Sequence, residues 1–293
     1  MATLKEIQHK IAAVKKTQQI TRAMNMVAAA KLRTAQIRIE NFRPYASKFA
    51  ELMADLASSG IDPGIHPFLV QPEEVNKVEL VAFSSDRGLC GSFNTNVIMG
   101  VEKFLNQQKT REIEVSMTLV GRKVNDYFKR RPVNRRVGYS DLMTSYDFST
   151  ANSIAREVAG IFLTGEADEV WIYYTRFQSV SKQVPTLVKL LPISAVEEEE
   201  PTADIGVNEY LCEPSAEAIM IDLLPKSFTI QIYNSMLESS ASEEAARMLA
   251  MDNATNACKD LIDDLTMVFN KARQAAITTE LLDIVSGAEA LKG

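Results

Sequence analysis

Apolar residues recur at three- and four-residue spacing along the first part of the chain: Leu4, Ile7, Ile11 and Val14, then Ala28, Leu32, Ala35 and Ile39. That spacing is the seam of a coiled coil. Between the two groups the same register meets Gln18, Thr21 and Asn25, so the seam is apolar at both ends and polar in its middle. Residues 3–57 hold one proline, Pro44, and no glycine, and good helix formers dominate. Thr3 followed by Glu6 reads as a capping box at the start. Pro44 predicts a kink or a frayed turn, and "SSG" at 58–60 ends the helix. The far end mirrors this. After Pro225 there is no further proline, and no glycine until Gly287. Pro225 suits the first turn of a helix. Leu261, Ile262, Leu265, Val268 and Phe269 then form a broad apolar stripe, and truncating Phe269 is expected to open a core cavity. Each helix would run roughly 80–90 Å at 1.5 Å per residue. Helices that long need a partner, and two at opposite ends of a chain can pair antiparallel.

Between them the pattern alternates. "VNKVELVAFSS", "EIEVSMTLVG", "DEVWIYYTRF" and "PTLVKLLPI" read as strands. "NTNVIMGVEKFLNQQ", "RKVNDYFKRR" and "STANSIAREVAGIFLTG" read as helices. Such alternation implies an α/β module with a mostly parallel sheet. The expected organisation is a shaft helix over 1–57 and a Rossmann-like α/β module over 58–214. An acidic linker at 196–206 lies within that module. A short helix and a long shaft helix follow over 215–293.

Charge changes this picture at one end. The net charge is −6, yet residues 1–48 carry ten Lys or Arg against only Glu6 and Glu40. A basic segment in an acidic protein suggests an acidic partner for it, beside the plainer reading of a solvated helix face. No apolar run approaches the ~18 residues of a membrane span, and "MATLKEIQHKI" lacks the apolar region of a signal peptide. Cys90, Cys212 and Cys258 are scattered and odd in number, which suggests a reducing compartment.

Candidate chemistry centres on "SSDRGLCGSFNTN", residues 84–96, a glycine loop between a strand and a helix. It lacks the lysine of a Walker loop and the first glycine of a dinucleotide fingerprint. Asp86 would also set a carboxylate against any phosphate. Asp86, Arg87, Gly88 and Gly91 therefore read as a structural turn, and a positive φ at Gly88 would make Gly88→Val a folding defect. His9 and His66 are at no metal-ligand spacing to cysteine, and neither falls in the alternating segment. No catalytic residue, metal or cofactor is expected. By residues alone, a coiled-coil adaptor with a ligand-binding module and an enzyme using the Asp86 loop stay open.

Four stretches carry a family resemblance: "KIAAVKKTQQITRAMNMVAAAKL", "DRGLCGSFN", "SEEAARMLAMDNAT" and "FNKARQAAITTELLDIVSGAEAL". Collinear from end to end, they resemble the γ subunits of bacterial-type F-type ATP synthases. The resemblance implies a non-catalytic central rotor stalk whose asymmetric coiled coil turns inside a ring of three α and three β subunits. It implies an ε subunit and a membrane c-subunit ring as further partners, and coupling of proton flow to ATP synthesis or hydrolysis. It also implies a peripheral place at the cytoplasmic face of the membrane, without insertion and without nucleic acid. Stator contacts are expected at Met24, Arg247, Gln274, Thr278 and Glu280. Met24 reads equally as a core methionine, and Arg247 as half of an intrachain ion pair. A ring-facing foot is expected at Tyr210, Leu211, Cys212 and Glu213. The polar middle of the seam suits helices that also face other chains. No close cysteine pair lies between Ser194 and Tyr210, so the thiol control of chloroplast-type chains is not expected.

Overall fold

The computed structural model describes residues 3–58, 62–141, 147–193, 213 and 215–290. Helix α1 covers Leu4–Ser58 and α5 covers Ala216–Ala290. Between them lie β1 (Lys77–Phe83), α2 (Phe93–Thr110), β2 (Glu114–Val120), α3 (Arg122–Phe128) and β3 (Asn134–Tyr139). Then come α4 (Phe148–Leu163), β4 (Glu169–Ser179) and β5 (Lys182–Leu191). The chain forms two compact units, Met1–Ala28 with Arg247–Gly293, and Ala29–Ala246. Each long helix thus contributes to both units, and the division falls inside the helices rather than at the expected 57/58 and 214/215.

In the larger unit the strand order is β3-β2-β1-β4-β5. The first four strands are parallel, and β5 closes one edge as the antiparallel arm of a hairpin with β4. β1 is buried on both faces, which is why "VELVAF" reads as a nearly unbroken apolar run. Val78, Leu80 and Ala82 meet Val97, Val101 and Phe104 of α2 and Val124 and Phe128 of α3. Val81 and Phe83, with opposite parity, join Ile154 and Val158 of α4 and Met220, Leu224, Phe228, Ile232 and Met236 of α5. Leu56 of α1 and Phe68 complete that layer.

Both helix starts and stops depend on more than local signals. The capping box forms: the Thr3 N–H donates to Glu6 Oε2 at 2.9 Å, and the Glu6 N–H donates to Thr3 Oγ1 at 3.3 Å. Pro225, however, does not open a helix. It lies inside α5, which is one element of 75 residues rather than a short helix and a long one. Pro44 likewise lies inside α1. A proline in a helix interior costs about 3 kcal/mol. Around Pro225 that cost is outweighed by burial of Met220, Leu224, Phe228 and Ile232, at about 1.5–3 kcal/mol for each such side chain.

Candidate functional site

The chain passes from β1 into α2 through residues 84–92. Leu89 (φ 62°) and Gly91 (φ 57°) take the left-handed conformations there. Gly88 does not, and a Cβ on it would meet only the Lys123 side chain at 3.8 Å. A folding defect from Gly88→Val on grounds of backbone conformation is therefore not expected. Asp86 Oδ1 accepts the N–H groups of Arg122 (2.9 Å) and Asp141 (3.1 Å), tying this loop to the start of α3 and to the chain just past β3. Asn94 accepts the Ser85 N–H and donates to the buried Cys90 sulfur at 3.1 Å. Arg87 is exposed, and its carbonyl accepts the Ser85 hydroxyl at 2.5 Å. Asp86 and Arg87 also line a cavity of about 150 Å³ with Lys31, Arg38, Glu243 and Glu244.

In a sheet of this order, ligands bind outside the carboxyl ends of the strands where the order reverses, here between β1 and β4. That crevice is filled by the chain itself. β4 runs past the end of β1, whose last paired residue on that side is Ala82, opposite Tyr173. Beyond it, the Thr175 N–H donates to Ser239 Oγ (3.2 Å) and the Phe177 N–H donates to Glu238 Oε2 (2.7 Å). Ser242 Oγ donates to the Thr175 carbonyl (3.0 Å). Ser239 and Ser242 are fully buried, and their short side chains let α5 approach the strand closely.

In the smaller unit, α1 and α5 pair antiparallel. Ile7 and Thr21 of α1 are buried, as is Met251 of α5. Cys258, Ile262, Leu265, Phe269 and Ala272 are half-buried at heptad spacing. Leu261 and Val268 are exposed, so the stripe is narrower than the sequence suggests. The polar middle of the seam is used within the pair. Gln18 Nε2 reaches the Thr255 carbonyl (3.5 Å), the Thr21 and Thr255 hydroxyls meet at 2.8 Å, and Asn25 Nδ2 donates to the Met248 carbonyl (2.8 Å). These hydrogen bonds fix the register of the coiled coil. Asn25→Ala is expected to cost about 1 kcal/mol, the net worth of a hydrogen bond. Asn25→Leu should regain that stability but admit shifted pairings, because a polar seam position specifies register. Urea unfolding and disulfide trapping of cysteine pairs placed in and out of register check both outcomes.

This register brings the start of α1 opposite the region of Ala272. From residue 273 to 289 every side chain of α5 is exposed, including Ile277, Leu281, Leu282, Ile284 and Val285. No helix among the described residues is long and apolar enough to cross a membrane.

The family model described as "ATP synthase" matches residues 3–291. A protein of Syntrophobacter fumaroxidans called "ATP synthase gamma chain" is 50% identical over 292 residues, covering all of both chains. The chain belongs to the ATP synthase gamma chain family. A second gamma chain, from Nitratidesulfovibrio vulgaris (strain Miyazaki F), is 48% identical over 294 residues, again covering all of both chains. Among solved structures, a chain of the Tetrahymena thermophila mitochondrial ATP synthase "central stalk/cring" is 26% identical with a TM-score of 0.61, covering 80% of this chain and 99% of that one. A chain of the Euglena gracilis mitochondrial enzyme shares the fold at 20% identity, with a TM-score of 0.70 and coverage of 98% and 94%. Like other gamma chains, this one is a central-stalk subunit and is not itself catalytic.

Within this gamma-family chain, Met24 is half-buried, while Gln274, Thr278 and Glu280 are exposed on α5. The Thr278 hydroxyl donates to the Gln274 carbonyl at 2.9 Å. Arg247 is only 8% exposed, so its side chain is largely covered by its own chain rather than presented on a polar face. Glu213 is exposed; Tyr210, Leu211 and Cys212, like the linker 196–206, lie outside the described residues.

Glu79 is the one acid in "VELVAF", and its interruption of an apolar strand is the only sign of it in the sequence. Glu79 is fully buried. It accepts the hydroxyls of Ser116 and Thr118, and Arg136 lies 3.4 Å away. Burial raises its carboxyl above the ordinary 4.5, against the pull of Ser116, Thr118 and Arg136. The folded state thus holds this proton more tightly than the unfolded chain. Glu79's contribution to stability is full below 4.5 and falls as pH rises through the raised folded value. Burial raises Glu238 in the same direction. Glu79→Gln should remove Glu79's share of this decline; Glu238 adds to the decline, whereas Glu166, Glu217 and His66, whose folded values are lowered, act in the opposite sense. Urea unfolding from pH 4 to 7 measures the slope, and an unchanged slope would show that Glu79 titrates alike in both states.

Proposed function

We propose that this chain is the rotating shaft that couples proton flow through a membrane sector to ATP synthesis or hydrolysis on surrounding subunits. The coiled coil that α1 and α5 form turns inside a ring of three α and three β subunits. The α/β module carries the foot beside an ε subunit and a ring of c subunits, at the cytoplasmic face of the membrane. The observation that carries this reading is the end of α5. A helix that leaves its partner near residue 272 and continues with exposed Ile277, Leu281, Leu282, Ile284 and Val285 is not stable by itself. An apolar surface of that extent marks a site of contact with other chains. The basic outer face of α1 supports the same reading, since it suits acidic loops on those chains. Met24, Gln274, Thr278 and Glu280 are the proposed contacts with the ring, together with whatever part of Arg247 its own chain leaves open. Tyr210, Leu211, Cys212 and Glu213 are the proposed foot.

The test is to purify the native complex and the variants Gln274→Ala and Thr278→Ala, count subunits, and measure ATP hydrolysis and ATP-driven acidification of vesicles. Assembled complexes with lowered turnover are expected, because an exposed substitution changes the stability of the chain by within about 0.5 kcal/mol. Purification without α and β subunits would point to an adaptor. Binding of Mg-ATP to the chain alone, abolished by Asp86→Ala, would point to an enzyme.

A further inference from the structure

We propose that Glu238, Ser239 and Ser242 form the mechanical joint by which α5 is locked to the sheet, so that torque on the α/β unit turns the helix without slip. The inference rests on the shaft reading above and names the residues that make the connection stiff.

The residues of β4 alternate in the side toward which their backbone groups point. Up to Tyr173 one side is paired with β1. Past the end of β1, the Thr175 N–H and C=O and the Phe177 N–H leave that side with no strand to meet. These are the groups that α5 takes up, through Ser239, Ser242 and Glu238. The other edge of β4 agrees. Pro185 of β5 lies opposite Thr175, a position where its missing N–H forfeits no ladder bond because the Thr175 groups face α5. The helix therefore substitutes for a sixth strand over this stretch.

Apolar packing of α5 through Met220, Leu224, Phe228, Ile232 and Met236 is strong but non-directional. It resists separation better than it resists rolling or sliding. Hydrogen bonds weaken steeply with angle. Three of them, from residues at helix positions i, i+1 and i+4, fix both the axial position of α5 and its rotation about its own axis. Glu238 Oε2 accepts the shortest of the three, from the Phe177 N–H at 2.7 Å.

The experiment uses the whole complex reconstituted in vesicles. It compares native protein, the triple variant Glu238→Ala with Ser239→Ala and Ser242→Ala, and the conservative Glu238→Gln, whose amide oxygen still accepts the Phe177 N–H. The readout is acidification per ATP hydrolysed, measured as the opposing proton gradient is raised. In the triple variant hydrolysis should persist while acidification per ATP falls several-fold at high gradient, and Glu238→Gln should pump as the native complex does. Should the triple variant not assemble, Ser239→Ala and Glu238→Ala are read singly on the same ratio. A native ratio in these variants overturns the joint, as does a loss of pumping only in proportion to hydrolysis, since a merely structural role lowers both together. A native complex that hydrolyses ATP without acidifying vesicles would instead overturn the shaft reading itself.

Discussion

Gly121→Ala is expected to prevent folding of the α/β unit. Gly121 stands between β2 and α3 at φ 104°, a conformation L residues rarely adopt. A Cβ there would lie 2.2 Å from the Ser84 carbonyl oxygen. Neither side can yield, because three strand ends converge at this point. The Ser84 N–H donates to the Val120 carbonyl (2.8 Å), and the Gly121 N–H donates to the Tyr139 carbonyl (2.9 Å). The Lys123 N–H donates to the Ser85 carbonyl (3.1 Å) and the Val124 N–H to Ser84 Oγ (3.1 Å). Backbone strain and a backbone clash together should exceed about 4 kcal/mol, the upper range for single substitutions. That is a large part of the roughly 5–15 kcal/mol that holds a typical domain folded. Yield of soluble chain and its circular dichroism measure the effect. Gly88→Ala, in the loop the sequence draws attention to, should stay within about 0.5 kcal/mol. A well-folded Gly121→Ala beside an unfolded Gly88→Ala would reverse the assignment.

Phe228→Ala should destabilise the same unit by about 3–5 kcal/mol, the usual cost of removing a buried phenylalanine. Phe228 is 1% exposed on the face of α5 that packs on the sheet, with the Phe68 ring 5.9 Å away. The cavity left behind is enclosed by β-sheet and helix side chains that cannot collapse into it without disturbing the strand register. The sequence instead drew attention to Phe269 as the core phenylalanine of the C-terminal helix. Phe269 is only half-buried, so Phe269→Ala removes less area from cover and should cost under about 2 kcal/mol by area buried. Urea unfolding followed by the fluorescence of Trp171, whose ring lies 5.8 Å from Phe104 in the other layer of the same unit, separates the two. Comparable losses for Phe228→Ala and Phe269→Ala would show that the half-exposed stripe is as strongly held as the core.

The sequence by itself determined whatever rests on local periodicity. Leu4, Ile7, Ile11 and Val14 mark one helix face because an α-helix returns to that face every three to four residues. Thr3 and Glu6 cap its start because both partners lie within one turn. The alternation of β-branched runs with amphipathic stretches predicted the parallel sheet for the same kind of reason. Four long motifs, each legible without structure, carried the resemblance to gamma chains. The site residues on exposed helix surface, Gln274, Thr278 and Glu280, came only from that resemblance, because no spacing distinguishes a contact face from a solvated one.

Tertiary structure alone decided the rest, wherever a residue's role depends on a neighbour far along the chain. Gly121 and Gly88 look alike in sequence; only the carbonyl of Ser84, 37 positions away by numbering, makes one of them indispensable. Pro225 reads as a helix start until Phe228 and Ile232 are seen to bury against the sheet and hold the helix through it. Gln18, Thr21 and Asn25 read only as a polar break in the seam until Thr255 and the Met248 carbonyl stand opposite. Glu238, Ser239 and Ser242 show no pattern at all in one dimension, because what selects them is the unpaired edge that β4 leaves where β1 stops.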